Sequence, residues 1–298
     1  MEAFTDASVW FVVNSRSGDG SAPGAAAREA RRLRMAGIPS RIFLTSSPAH
    51  AHRVATQAVA SKARAVIACG GDGTVHSLIA ALRGTTTPLG IIPSGSGDDI
   101  ASCLGFGAAG PPLAEALTLP PVRIDLGHVA CTSGETGFFL GVLSCGFDSA
   151  VNERANRLPR LAGQRYHVAM VQELAAFRPI EYELAVDDHV HHIEGMLIAV
   201  GNGDRYGGGM LVCPTARIDD GLLTVTVLHA MSRHVFVRLF PRVYKGTHID
   251  HPSVSVFTGS TISVAADGPL AYADGERIGP LPMTATVNTG GLTVVGGR

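Results

Sequence analysis

The chain has 298 residues, 46% of them apolar and 16% charged, with a formal net charge of -1. That balance suits one large or two ordinary globular domains and excludes a disordered chain. It also removes the global positive field that a nucleic-acid binder uses, and no apolar run approaches membrane-spanning length. Glu2 and Asp6 precede the first apolar run, unlike the basic-then-apolar layout of a secretory signal. Cys69, Cys103, Cys131, Cys145 and Cys213 are odd in number and at no zinc-like spacing. They read as free thiols of a reducing, cytoplasmic protein.

Residues 9–13 predict a buried strand, and Asn14 to Gly18 a polar turn after it. Residues 23–35 are Ala- and Arg-rich and predict a helix stopped at Gly37, with Arg28, Arg31, Arg32 and Arg34 on a solvated face. Residues 41–44 form a short strand ending at Thr45. Ser47 then caps a helix that starts at Pro48 and runs to residue 60. Residues 65–68 are strand, Cys69-Gly70-Gly71-Asp72-Gly73-Thr74 is a glycine turn, and residues 75–82 are helical. A strand over 89–92 leads into Pro93-Ser94-Gly95-Ser96-Gly97-Asp98-Asp99 and a helix to residue 104.

Alternating strands and helices predict a mostly parallel sheet, which binds ligands outside the carboxyl ends of its strands. Three glycine-containing loops leave strand ends there: 14–18, 70–74 and 94–99. In the second, three glycines in four positions open positive φ and let main-chain N–H groups approach an anion, helped by the helix N-terminus that follows. Asp72 stands in the middle of that cradle. A carboxylate there repels phosphate unless a metal, or a proton to be accepted, offsets it. Neither a Walker sequence nor a G-x-G-x-x-G after the first strand is present, so a P-loop enzyme and a standard dinucleotide fold are excluded.

After Pro120-Pro121 the pattern changes. Strands are predicted over 122–130, 137–144, 180–186, 190–200, 222–228, 254–257, 261–265 and 283–287, with one helix over about 166–177. The fold class is therefore an α/β domain with a mostly parallel sheet over 1–121, followed by a mainly antiparallel β-sandwich over 122–298. The cleft between them is the expected ligand site. His189, His191 and His192 alternate along a strand and do not share a face, so they read as a solvated edge.

Read in order, the polar loops resemble the diacylglycerol kinase catalytic family, and among it the soluble bacterial lipid kinases. The matching pieces are Asn14-x-x-Ser17-Gly18, Thr45 with Ser47-Pro48-x-His50-Ala51, and Gly70-Gly71-Asp72-Gly73-Thr74. Then come Leu89-Gly90-Ile91-Ile92-Pro93-x-Gly95-Ser96-Gly97, Ile124-Asp125-Leu126-Gly127 and Gly146-Phe147-Asp148. The second half adds Gly201-Asn202, Gly207-Gly208-Gly209, Pro214-x-Ala216-x-x-Asp219-Asp220-Gly221, Lys245-Gly246-x-His248 and Asp274-Gly275-Glu276. Three loops depart from the family pattern. Ser15 replaces a proline, His76 and Ser77 replace Asn-Glu, and Asp98 replaces an asparagine.

The resemblance implies an ATP-dependent lipid kinase that phosphorylates a hydroxyl of a membrane lipid such as diacylglycerol. It assigns nucleotide contacts to Asn14, Thr45, Gly71, Asp72, Gly73, Thr74, Val75, His76, Ser77 and Ser96. It assigns the base toward the lipid hydroxyl to Glu276 first and Asp274 second, with Asp72 shaping the shared electrostatics and a Mg2+ site; a hairpin turn with solvated charges is the alternative for the 274–276 stretch. A structural magnesium loop is implied at the Asp220 side chain and the Arg217 and Leu222 carbonyls, where a metal-free Asp-Gly turn is the alternative. Phe138, Phe139, Leu143, Phe147 and Met170 are the candidate lining for an acyl chain, and would equally serve a plain core. Arg154, Arg157, Arg160 and Arg165 form a basic run that suits either anionic lipid or a solvated loop. The implied partner is a lipid at the membrane surface, reached by a cytoplasmic protein through peripheral contact, with no nucleic acid and no transmembrane segment; a homodimer stays open. Two other functions remain open: a kinase of a soluble alcohol, since NAD kinases share the Gly-Gly-Asp-Gly-Thr loop, and a non-catalytic lipid- or nucleotide-binding homologue.

Overall fold

The structure, a computed structural model, describes residues 7–95, 97–107, 110–157 and 165–296. The chain packs as two compact units, Met1–Leu126 with Thr289–Arg298, and Gly127–Asn288.

The first unit alternates strand and helix: β1 (Val9–Asn14), α1 (Ala22–Met35), β2 (Ser40–Thr45), α2 (Pro48–Ala60), β3 (Ala65–Gly70), α3 (Asp72–Leu82), β4 (Leu89–Pro93), short helices α4 (Asp99–Cys103) and α5 (Leu113–Ala116), and β5 (Val122–Cys131). β1 pairs β2 and β3 in parallel, and β3 pairs β4 in parallel. β1 and β3 are almost uninterrupted apolar runs because helices cover both faces of such a sheet. On α1, Ala22, Ala26, Ala30 and Leu33 form one helical stripe against Phe11 and Ile67, which leaves the arginines exposed. Ser47 caps α2, its Oγ accepting from His50 N–H at 3.2 Å.

The second unit contains β6 (Thr136–Phe139), β7 (Val142–Gly146), α6 (Phe147–Arg157), α7 (Arg165–Ala176), β8 (Ile180–Val186), β9 (His189–Gly201), β10 (Leu223–His229), α8 (Arg233–Val243), β11 (Val254–Gly259), β12 (Thr261–Ala265), β13 (Leu270–Ala273), β14 (Glu276–Pro280) and β15 (Met283–Val294). Its pairings are antiparallel, with the long β9 bonded to β7, β8 and β10. Phe139, Leu143, Leu184, Ile198, Val225 and Ile262 sit in the core of this sandwich.

Four features differ from the sequence reading. The expected strand over 137–144 breaks between β6 and β7, because the N–H groups of Leu140, Gly141 and Val142 bond a carboxylate instead of a ladder. The acidic turn at 274–276 is a hairpin turn, but its strands β13 and β14 and helices α6 and α8 were not foreseen; α8 carries Pro241 inside it, which masks its periodicity. β15 runs past residue 287 and pairs Val294 with Leu89 of β4, so the chain's end belongs to the first unit and not to a domain over 122–298. The other division lies within β5, after Leu126 rather than after residue 121. Cys69, Cys131, Cys145 and Cys213 are buried free thiols, while Cys103 is half-buried.

Candidate active site

In the first unit the parallel register levels the strand ends. Asn14 pairs with Thr45, Val13 with Cys69, and Gly70 with Pro93. The loops that follow therefore leave one edge of the sheet, and they touch. Asn14 Nδ2 donates to Thr74 Oγ1 at 3.4 Å, Ser17 Oγ donates to the Ser94 carbonyl at 3.1 Å, and Ser94 N–H donates to the Gly70 carbonyl at 3.2 Å. Gly71 and Gly95 pack backbone against backbone: a Cβ on Gly95 would lie 2.6 Å from Gly71 Cα. A Cβ on Gly70 would lie 2.2 Å from Thr74 Oγ1. These glycines are required for close approach. They are not at positive φ, as the sequence reading had it; Gly71 has φ -91°.

Helix α3 starts at Asp72, three residues earlier than expected, so the glycine turn is itself the helix N-terminus. The Thr74 and Val75 N–H groups both bond the Gly71 carbonyl. The N–H groups of Asp72 and Gly73 come first in the helix, outside its ladder, and with the positive dipole end they suit an anion. Val75 is buried, so only its main chain can serve a nucleotide. Ser77 donates its hydroxyl to the Thr74 carbonyl at 2.7 Å, and the buried Thr45 donates to the Val13 carbonyl at 3.0 Å. His76 is half-buried, and its Nδ1 has no hydrogen-bond partner among the described residues. Ser96 lies outside the described residues.

Asp72 is held in place by the start of α4. Its Oδ1 accepts from Ile100 N–H at 3.0 Å and its Oδ2 from Asp99 N–H at 3.3 Å. Burial pushes its carboxyl above the ordinary range; those two bonds pull against the rise, and the nearby Asp99 and Asp98 charges add to it. Asp98, at φ 55°, turns its carboxylate back onto Gly95 N–H at 2.8 Å and closes the third loop. Asp98 and Asp99 had no assigned role in the sequence reading. A partly buried acid flanked by acids is a place where a divalent cation relieves repulsion.

In the second unit Asp274 and Glu276 part company. Asp274 and Gly275, at φ 50° and 83°, form the two-residue turn between β13 and β14. The Asp274 carboxylate accepts from Leu140 N–H at 2.8 Å, Gly141 N–H at 2.9 Å and Val142 N–H at 3.1 Å. Gly141 is needed there, since a Cβ would lie 2.8 Å from Asp274 Oδ1. Asn202, fully buried, supports the same turn by donating Nδ2 to the Leu140 carbonyl at 3.0 Å. Glu276 opens β14 and is exposed. The two acids do not point the same way, as a strand end would have made them; positive φ at Asp274 turns its side chain onto the β6–β7 connection.

At the implied magnesium loop, Asp220 Oδ1 accepts from Leu222 N–H at 3.1 Å, and Arg217 pairs with Asp219 at 3.5 Å. Among the described residues no group of three or more His, Cys, Asp or Glu side chains converges as a metal cluster. One exposed carboxylate with main-chain carbonyls is an all-oxygen donor set, which fits a hard, largely hydrated cation.

A small apolar cavity of about 60 Å³ lies in the second unit, lined among others by Phe147, Met170, Leu197, Met210, Phe236 and Phe240. Of the five residues named for an acyl lining, Phe147 and Met170 border this cavity. Phe139 and Leu143 instead pack in the sandwich core, and Phe138 packs on His128. Helix α8 supplies Phe236, Leu239, Phe240 and Val243, and β9 and β10 supply Leu197, Thr226 and Leu228. Of the basic run, Arg154 pairs with Glu173 and Arg157 with Glu153, while the Arg160 and Arg165 side chains lie outside the described residues.

The model of the diacylglycerol kinase catalytic domain matches residues 8–129, and that of the YegS C-terminal NAD kinase beta sandwich-like domain matches residues 141–296. A diacylglycerol kinase of Mycobacterium tuberculosis is 37% identical, with 96% of this chain and 94% of that protein covered. The chain belongs to the diacylglycerol kinase family of lipid kinases. A "Probable lipid kinase YegS-like" of Chromohalobacter salexigens is 33% identical over 75% of this chain and 71% of its own length. The solved diacylglycerol kinase of Bacillus anthracis shares the fold, with a TM-score of 0.72 at 18% identity, covering 97% of each chain. An NAD kinase of Archaeoglobus fulgidus, solved in complex with ATP, has a TM-score of 0.52 at 14% identity, covering 97% of this chain and 93% of that one. In this kinase the sequence signal for Asn202 was its Gly201-Asn202 motif, whereas nothing local marks Gly141 as part of the Asp274 turn.

Proposed function

We propose that the protein transfers the γ-phosphoryl group of ATP to a hydroxyl of a membrane lipid, diacylglycerol or a near relative. The observation that carries this reading is the meeting of three glycine loops around the first turn of α3, through Asn14–Thr74, Ser17–Ser94 and Gly71 against Gly95. Phosphoryl transfer is chiefly positioning and charge neutralisation. The α3 N–H groups hold phosphate oxygens; Asn14, Thr45, Thr74, His76, Ser77 and Ser96 border the nucleotide. Asp72 and Asp98 would hold a Mg2+, which would supply charge neutralisation, and Asp220 with the Arg217 and Leu222 carbonyls would hold a structural Mg2+. Glu276, the exposed acid, accepts the hydroxyl proton, and Asp274 positions its turn. The α8-walled cavity takes an acyl chain.

Among the described residues no helix is long and apolar enough to cross a membrane. The reading brings the enzyme to the lipid by peripheral contact through α8. Its inner face, Phe236, Leu239, Phe240 and Val243, lines the cavity. Val237 of α8 and Tyr244 just after it are 56% and 47% exposed, near exposed Arg233, Arg238 and Lys245 in the chain. Apolar tips among cations suit an anionic lipid surface.

The test is purified protein with labelled ATP, Mg2+ and extracted or defined lipids. Label in a lipid monophosphate is the expected result. Label in NAD or a soluble alcohol, or none in any acceptor, overturns the reading.

A further inference from the structure

We propose that His248 makes the apolar cavity of the second unit prefer a lipid chain that carries a hydroxyl group. The proposal rests on the lipid kinase reading and names the acceptor's class more closely. His248 lies in a short turn, Thr247–Asp250, after α8; it lines the cavity and is only 3% exposed. Its Nε2 is 3.2 Å from the Val212 carbonyl oxygen. A carbonyl only accepts, so Nε2 carries the proton. Burial, with Arg242 nearby, lowers the ring's pKa against the pull of the Val212 bond and Asp250, so the ring is neutral at physiological pH. The other nitrogen, Nδ1, is then a lone-pair acceptor. It is buried and has no partner among the described residues.

The neighbouring polar side chains of the wall are already engaged. Asp148 accepts from Ser144 Oγ at 2.8 Å and from Asn152 Nδ2 at 3.4 Å, and Thr226 Oγ1 donates to Cys213 Sγ at 3.6 Å. A buried acceptor left unpaired is unfavourable, and a group that pairs it gains specificity rather than bulk affinity. A plain alkyl chain offers Nδ1 nothing. A keto group or an ester carbonyl offers a second acceptor and is repelled. A hydroxyl offers the O–H donor that Nδ1 needs. The geometry thus separates three chains of almost equal size and opposite hydrogen-bonding sense.

The experiment measures binding without ATP, by displacement of a fluorescent fatty-acid probe from the full chain. The competitors are stearoyl glycerol, a set of hydroxystearoyl glycerols with the hydroxyl at successive positions, and the matching oxostearoyl glycerols. One net hydrogen bond corresponds to about a three- to tenfold difference in affinity. We expect that preference for the hydroxyl over the plain chain at one or a few adjacent positions, with the keto chain no better than the plain one. His248→Leu should bind the plain chain and lose the discrimination; the wild-type hydroxyl-to-keto ratio stands whether or not that variant folds. Equal binding of hydroxyl and keto chains at every position overturns the inference and leaves the lipid kinase reading intact, as does a folded His248→Leu that keeps the preference. Binding of no chain at all removes the acyl-chain site itself and the inference with it, while phosphorylation of lipid is scored separately with labelled ATP.

Discussion

Replacing Asp274 by Asn separates turn geometry from proton transfer. Asparagine tolerates the left-handed backbone nearly as well as aspartate, so φ 50° at this position survives the change. The carboxylate does not survive it. Three N–H groups, at 2.8, 2.9 and 3.1 Å, now share one amide oxygen, and the new NH2 stands among donors. Hydrogen bonds to a charged acceptor contribute about 1.5–3 kcal/mol, and a donor left unpaired costs about 1–3 kcal/mol. Because the site is half-buried, we take the lower part of that sum, about 1.5–3 kcal/mol in all. For a protein of this size that lowers Tm by about 3–8 °C. Glu276→Gln is the companion. Glu276 is exposed, so Tm should stay within about 1 °C, while the rate constant should fall by about 10²–10⁴-fold, with little change in ATP affinity. Calorimetry and single-turnover transfer from labelled ATP read the two effects. If Asp274→Asn melts like wild type, the carboxylate does not hold the β6–β7 turn. If that variant also loses the larger rate factor, Asp274 and not Glu276 is the base.

Asp72→Asn should lower transfer by about 10²-fold or more and leave Tm equal or higher. The raised carboxyl pKa of Asp72 gives stability that is full below its unfolded value near 3.8 and lost as pH rises through the folded value, so wild type should weaken relative to the variant above about pH 4. Millimolar Mg2+ should raise the Tm of wild type more than that of Asp220→Ala, whose Asp72 site is intact; equal responses would reduce that loop to an Asp-Gly turn. His248 has the opposite sign: its folded pKa lies below the ordinary 6.5, so stability should fall as pH drops from 6.5 toward the folded value, and a folded His248→Gln should flatten that slope. Reversing Arg233, Arg238 and Lys245 to Glu should weaken sedimentation with anionic vesicles by about 10²-fold or more, since each cation contributes about 1 kcal/mol; unchanged sedimentation would remove α8 as the contact surface.

The first unit was almost entirely legible in the sequence. Buried parallel strands are continuous apolar runs, caps and glycine turns are local chemistry, and the level register then brings Asn14, Thr74 and Ser94 to one edge. The loop motifs, read in order, also carried the family. In the second unit the sequence marked most strands and the acidic turn, but not which acid was engaged. That depended on Asp274 meeting Leu140, 134 residues away, and on Leu140 to Val142 giving up ladder hydrogen bonds to meet it. The same holds for the cavity. Periodicity shows that Phe138, Phe139 and Leu143 are apolar; only the packing of α8 decides that Phe236 and Phe240 make the wall while Phe139 and Leu143 fill the core. His248 looks like any polar residue of a loop until Val212 takes one ring nitrogen and burial strands the other. Local chemistry and periodicity are written in neighbouring residues. Which donors and acceptors are left over is settled by partners far along the chain, and so by the tertiary structure alone.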